Sequence, residues 1–225
     1  MGPRLRRRPA AVIFDMDGLL LDTEPLAARA WNDAAAALGV EFDEALALAM
    51  VGRNFPDCTA MVRARYGASY PVDALLDRWH TTYDAIVARD GVSVKPGAIE
   101  LIDWLEHNGV PRAVATSTRR ERARAKLADA KLLSRFRDVV GGDEVARGKP
   151  EPDIYAEAAR RLCVRPDECI ALEDSLPGVR AALAARMTAI MVPDLHGPPG
   201  DLLELDLLVV PSLHEVLEHL TKLPA

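Results

Sequence analysis

Short apolar runs bounded by turn residues alternate along this chain with longer stretches in which apolar residues recur every three or four positions. The runs lie at Ala11 to Phe14, Ala113 to Ala115, Val139 to Val140, Cys169 to Leu172, Thr188 to Val192 and Leu207 to Val210. They are short, and they lack the alternation of a strand with one wet face, so each is expected to be a strand buried on both sides. The stretches between them carry a helical period. In AIELIDWLEHNG, Ile99, Ile102 and Leu105 are expected to face inward and Glu100, Asp103 and Glu106 outward, with Asn108-Gly109 as the stop. The same alternation returns with RERARAKLADAKLL, PDIYAEAARRL and SLPGVRAALAA. A series of βαβ units follows, hence an α/β fold with a parallel sheet and helices on both faces.

One region breaks the alternation. From Glu24 to Asp90 no strand pattern occurs, only alanine- and leucine-rich helical patterns separated by glycine or proline. They predict a small helical bundle hung on two linkers. The expected organisation is a basic tail over residues 1–10, a core from 11–23 and 92–225, and a helical domain over 24–91.

Composition narrows the class. With 49% hydrophobic and 28% charged residues, the chain has the makeup of a soluble globular protein. No apolar run approaches the roughly 20 residues needed to cross a bilayer, and MGPRLRRRPA lacks the apolar segment of a secretory signal, so a cytoplasmic location is expected. The RLRRR run could suggest a nucleic-acid or membrane arm, but it stands against a net charge of −6 and is expected to be a solvated tail, with neither nucleic acid nor membrane as partner. Cys58, Cys163 and Cys169 form no CxxC pair, which points to reduced thiols rather than zinc or a disulfide framework.

The chemistry is expected where the sheet's strands end, since in open α/β sheets the loops beyond the strands' carboxyl ends converge. Asp15 and Asp17 follow the first strand, Thr116, Ser117 and Thr118 the second, and Glu173-Asp174 the strand CIALEDS, while Lys149 stands in the loop GGDEVARGKPEPD. DMDG is not an EF-hand loop, because glycine is fourth rather than sixth and leucines follow. Nor is it merely a capped turn, which would leave the second acidic pair without a purpose. Two like charges about 4 Å apart at an effective dielectric near 20 repel by on the order of 4 kcal/mol, so a converging cluster calls for a cation. Oxygen-only ligands favour a hard ion, Mg²⁺ foremost, keeping waters that a phosphate oxygen can replace. One of two carboxylates spaced two apart can then attack phosphorus while the other moves the leaving group's proton. Gly18 lets the backbone turn away beside the phosphate, the 116–118 hydroxyls and amides hold its oxygens, and Lys149 balances its charge.

FDMDG, VATST, GKPEPD and LEDS, in that order, resemble the four motifs of the haloacid dehalogenase superfamily. The resemblance implies a Rossmann-like core with a small helical cap, Asp15 as phosphorylated nucleophile, Asp17 as acid/base, Thr116 and Lys149 as phosphate-holding catalytic residues, and an Mg²⁺ site of Asp15, Asp17, Glu173 and Asp174. Asp17 would contribute there by its backbone carbonyl. DGLLLDTEP followed by Ala30-Trp31 is similar to the branch holding β-phosphoglucomutase and sugar-phosphate phosphatases, in which MVGRN, with Gly52 and Arg53, resembles the cap's substrate loop. Arg119 could add to the substrate's charge balance. Metal-free dehalogenases of the superfamily lack the second aspartate, so Asp17 argues against that activity. The expected function is a phosphatase for a small phosphorylated metabolite, a sugar phosphate above all, working as a monomer or weak homodimer. A sugar-phosphate mutase and a non-catalytic binding protein are the alternatives. The mutase is disfavoured because Ala27 stands where β-phosphoglucomutase carries a histidine. Trp31, Trp79 and Trp104 are expected to serve packing, and the five histidines show no metal spacing. Arg186 occupies a position where the family pattern has glycine.

Overall fold

The structure, a computed structural model, describes residues 7–50, 55–194 and 207–224. In chain order the elements are β1 (Ala11–Phe14), α1 (Glu24–Ala37), α2 (Glu44–Ala49), α3 (Phe55–Tyr66), α4 (Val72–Asp90), α5 (Ala98–His107), β2 (Arg112–Ala115), α6 (Arg120–Asp129), β3 (Asp138–Val140), α7 (Asp153–Leu162), β4 (Cys169–Glu173), α8 (Leu176–Ala184), β5 (Thr188–Met191), β6 (Leu208–Val209) and α9 (Leu213–Thr221). The chain divides into two compact units, Met1–Leu21 with Ser93–Ala225, and Asp22–Val92.

The first unit is built on one six-stranded sheet of order β3-β2-β1-β4-β5-β6, parallel throughout. Every residue of β1, β2 and β4 is buried, as their unbroken apolar sequences require. Two residues are exceptions in character: Glu173 at the end of β4, and Arg112, which lies buried in β2 and is paired with Glu106 at 2.9 Å. One core cluster sets Tyr155, Ala158 and Ala159 of α7 and Val179 and Ala182 of α8 with Ile13, Ala113 and Ala171 of the sheet. α5 buries Ala98, Leu101, Ile102 and Leu105. The inward face expected from Ile99, Ile102 and Leu105 is therefore corrected by one residue, and Ile99 is 47% exposed. Spacing of three alone drifts around a helix, whereas the observed set mixes threes and fours.

The left-handed turn after α8 is made by Arg186, at φ 66°, where glycine would sit without strain. Within the expected basic tail, Arg8 is held against the core: it donates to Asn108 Oδ1 at 3.0 Å and lies 5.6 Å from the centre of the half-buried Trp104 ring. The chain's exit from β1 and its return are tied together, since Leu21 bridges Val94 in antiparallel sense and the Lys95 amide donates to the Leu20 carbonyl at 2.9 Å.

The second unit is helical, with a core rich in aromatic rings. Trp31 stacks on Phe42 (5.8 Å), Trp79 stacks on Tyr83 (4.9 Å), and the two tryptophans lie 5.4 Å apart. Trp79 Nε1 donates to the Ala27 carbonyl at 3.2 Å, giving the indole the partner that burial demands. Cys58 and Cys169 are buried and Cys163 is exposed, and none of the three is in a disulfide among the described residues.

Candidate active site

Register brings the acidic residues together. β1 pairs with β4 so that Phe14 is opposite Leu172, and the Asp15 amide continues the ladder to the Leu172 carbonyl at 3.0 Å. Asp15 thus stands level with Glu173 at the carboxyl edge of the sheet. On the other side β1 pairs Phe14 with Val114, which brings Thr116 to the same edge. Because β1 has β2 on one flank and β4 on the other, the chain reverses its direction of growth at this point, the place where open α/β sheets form crevices.

Asp15, Glu173 and Asp174 each offer a carboxylate oxygen, and these oxygens lie within 4.8 Å of one another. Lys149 reaches into this group: its ammonium donates to Asp15 Oδ1 and, at 2.5 Å, to Glu173 Oε1, and its side chain is only 6% exposed. Glu173 is fully buried and also accepts from the Tyr155 hydroxyl at 2.5 Å and from Ser175 Oγ at 3.0 Å. Gly178, in the first turn of α8, leaves room for it: a Cβ at that position would fall 1.9 Å from the carboxylate carbon. Gly18, at φ +86°, does the same for Asp174, whose Oδ2 lies 2.3 Å from where a Cβ would be.

Burial dominates the electrostatics. It pushes the Asp15 carboxyl up to about 8, with the Glu173 and Asp17 charges adding to the rise and Lys149 opposing it. Burial alone would lower the Lys149 ammonium, but the charges of Asp15 and Glu173 override it and hold the lysine protonated. The Tyr155 phenol is pushed well above its ordinary value by burial and by Glu173, so it remains a donor. Lys149 was expected to balance substrate charge at the rim. The geometry places it inside the acidic cluster, between two of its members.

Asp17 has different surroundings. Its Oδ2 accepts from Thr118 Oγ1 at 2.7 Å, with Thr116 Oγ1 at 3.5 Å, and its Oδ1 accepts from Lys126 Nζ at 2.8 Å. The Thr118 amide in turn donates to Thr116 Oγ1 at 3.1 Å. The loop after β3 comes close enough to support this arrangement, since a Cβ on Gly142 would lie 2.4 Å from the Ser117 carbonyl oxygen. Ser117 and Arg119 are exposed at the edge, and Thr118 is half-buried. Gly52 and Arg53 lie outside the described residues.

Tyr155, Lys126, Ser175 and Gly178 were missed by sequence reasoning. The signal for Lys126 existed: it lies three positions after Ala123 and one before Leu127, the two buried residues of α6. Gly178 carried none, since a helical glycine five residues past an acidic pair has no distinctive spacing.

A parallel sheet whose carboxyl edge gathers three carboxylates, two of them bound to a buried ammonium, with a fourth carboxylate held by hydroxyls and a second lysine, defines an α/β enzyme working at its topological switch point. The chain belongs to the haloacid dehalogenase-like hydrolases, whose family model matches residues 9–186. Hexitol phosphatase A of Escherichia coli is 35% identical over 91% of this chain and 91% of its own length. The bifunctional riboflavin kinase/FMN phosphatase of Arabidopsis thaliana is 32% identical over 87% of this chain, which spans only 51% of that relative. Among solved structures, CbbY from Rhodobacter sphaeroides in complex with phosphate superposes with a TM-score of 0.72 at 31% identity, over 95% of this chain and 99% of that one. Among the described residues no helix is long and apolar enough to cross a membrane.

Proposed function

We propose that this protein is a Mg²⁺-dependent phosphatase of small sugar phosphates that works through an aspartyl phosphate on Asp15. The observation that carries the reading is the convergence of Asp15, Glu173 and Asp174 oxygens within 4.8 Å at a buried strand edge. The donor set fits the ion: it is all oxygen, it suits a hard cation, and one member is so desolvated that its carboxyl is pushed up to about 8. Asp15, Glu173 and Asp174 would hold the metal together with the Asp17 backbone carbonyl. When bound, Mg²⁺ supplies positive charge that offsets repulsion between an anionic ester and an anionic nucleophile.

The chain's own groups do the rest. A carboxylate oxygen of Asp15 attacks phosphorus and the bond to the sugar oxygen breaks, while protonated Asp17 gives its proton to the departing oxygen. Asp17 then takes a proton from water, whose oxygen attacks the acyl phosphate, releasing inorganic phosphate and restoring Asp15. Lys149 donates to Asp15 and favours its carboxylate form ahead of the attack. Thr116, Ser117 and the backbone amides of that loop take the phosphoryl oxygens. The resemblance to the sugar-phosphate branch assigns selection of the sugar to the helical unit, with Gly52 and Arg53 as the candidate contacts. Hexitol phosphatase A supports the substrate class.

The test is a panel of hexose, hexitol and pentose phosphates with and without Mg²⁺, scored for free phosphate and for rearranged ester. Mg²⁺-dependent phosphate release, abolished in a folded Asp15→Asn protein, is expected. Isomerised ester without free phosphate would mark a mutase instead, and full activity in Asp15→Asn would overturn the nucleophile.

A further inference from the structure

We infer that Asp194, held by Lys95, is an outer-sphere member of the metal site, its Oδ2 accepting a hydrogen bond from a water molecule bound to the cation. The inference rests on the metal reading proposed above and concerns residues outside the four motifs. Asp194 lies just beyond β5, the strand beside β4; register pairs Glu173 with Met191, and the Val192 amide extends the pairing to the Glu173 carbonyl at 2.7 Å. Asp194 is thereby delivered to the same carboxyl edge as Asp174.

Three observations converge on its role. Its side chain is 7% exposed and its Oδ1 is taken by the Lys95 ammonium. Its Oδ2 is buried with no hydrogen-bond partner, a state that costs free energy unless a donor arrives. That oxygen faces the bare backbone of Gly18, 3.5 Å from where a Cβ would sit, and Asp174 Oδ2 approaches the same point at 2.3 Å. The missing donor therefore belongs beside the metal-facing carboxylate.

A hydrated hard cation meets that need, because Mg²⁺ sheds its waters reluctantly and keeps several in protein sites. Asp194 does not belong to the trio of carboxylates that converge within 4.8 Å, so its place is behind a water rather than on the ion. Lys95 neutralises it, so the pair adds an acceptor to the site without adding net negative charge. Outer-shell acceptors of this kind fix the orientation of what they hold and tune affinity.

The experiment is calorimetric titration of the substrate-free, full-length protein with MgCl₂, comparing wild type with Asp194→Asn. An asparagine would give its carbonyl oxygen to Lys95 and turn its amide toward Gly18, setting a donor against a donor. Affinity is expected to fall about 10- to 100-fold; affinity within twofold of wild type would overturn the inference while leaving the phosphatase reading intact. A wild-type protein that bound no Mg²⁺ would overturn both. A Mn²⁺-soaked crystal of the wild type decides the matter even where the variant fails to fold: a metal-bound water within about 3.2 Å of Asp194 Oδ2 is expected, and a metal whose waters all point elsewhere would sink the idea.

Discussion

Asp15 and Asp17 are two residues apart on one loop, yet they occupy opposite kinds of surroundings. Asp15 is buried against another carboxylate and depends on one ammonium shared with Glu173. Asp17 is partly open, and its two oxygens are divided between a lysine and the Thr118 hydroxyl. The difference separates two tasks that carboxylates perform badly together. A nucleophile must be charged in a dry place, whereas a proton carrier must reach both a leaving group and water. Placing them at i and i+2 on the turn held by Gly18 gives each its own donors, Lys149 from the loop before α7 for Asp15, and Thr118 and Lys126 from the segment after β2 for Asp17.

The comparison breaks hardest at Lys149. Lys149→Met removes the ammonium from between two buried carboxylates, and metal-free stability in chemical denaturation is expected to fall by about 3–5 kcal/mol. Added Mg²⁺ should recover part of that loss, because a cation returns to the same cluster. Next in size is Gly178→Ala. On a free helix this change would gain about 0.5–1 kcal/mol, but here the new methyl meets Glu173 at 1.9 Å. A loss of about 1–3 kcal/mol is expected, accompanied by weaker Mg²⁺ binding, both read from thermal melts at graded metal.

The Asp17 side should answer differently. Lys126→Met removes a charge-assisted hydrogen bond of about 1.5–3 kcal/mol; expressed in the transition state, this is a loss of about tenfold or more in kcat. KM for sugar phosphates should stay within twofold, and Mg²⁺ affinity should not move. A Lys126→Met enzyme that lost metal affinity, as Gly178→Ala is expected to, would erase the distinction between the two sides. The smallest effect belongs to the helix that supports Glu173: Arg186→Gly relieves a left-handed backbone and should raise stability by about 1 kcal/mol with kinetics unchanged.

Much of the architecture was legible because buried parallel strands carry unbroken apolar sequence and each was followed by a helical period. The acidic residues were legible for a related reason, as carboxylates placed directly after such strands have few purposes other than chemistry. What escaped depended on helix rotation. α6 presents Arg120, Arg122, Arg124 and Lys126 in alternation, and only the packing of Ala123 and Leu127 decides which cation turns inward. The same sensitivity moved the buried face of α5 away from Ile99. Tyr155 lies in a stretch read only as helix, because nothing local reveals that its hydroxyl ends beside a carboxylate contributed by β4. Lys149 was expected at the same rim as the carboxylates, but its depth between Asp15 and Glu173 was not legible, since a loop's depth is not written in its composition.

The bridge between Leu21 and Val94 makes the stretch between them a cassette whose two ends are already joined at its base. Excising it and closing the gap with a short turn is expected to leave the strand order untouched, because both ends of the cut lie in the unit that carries the sheet.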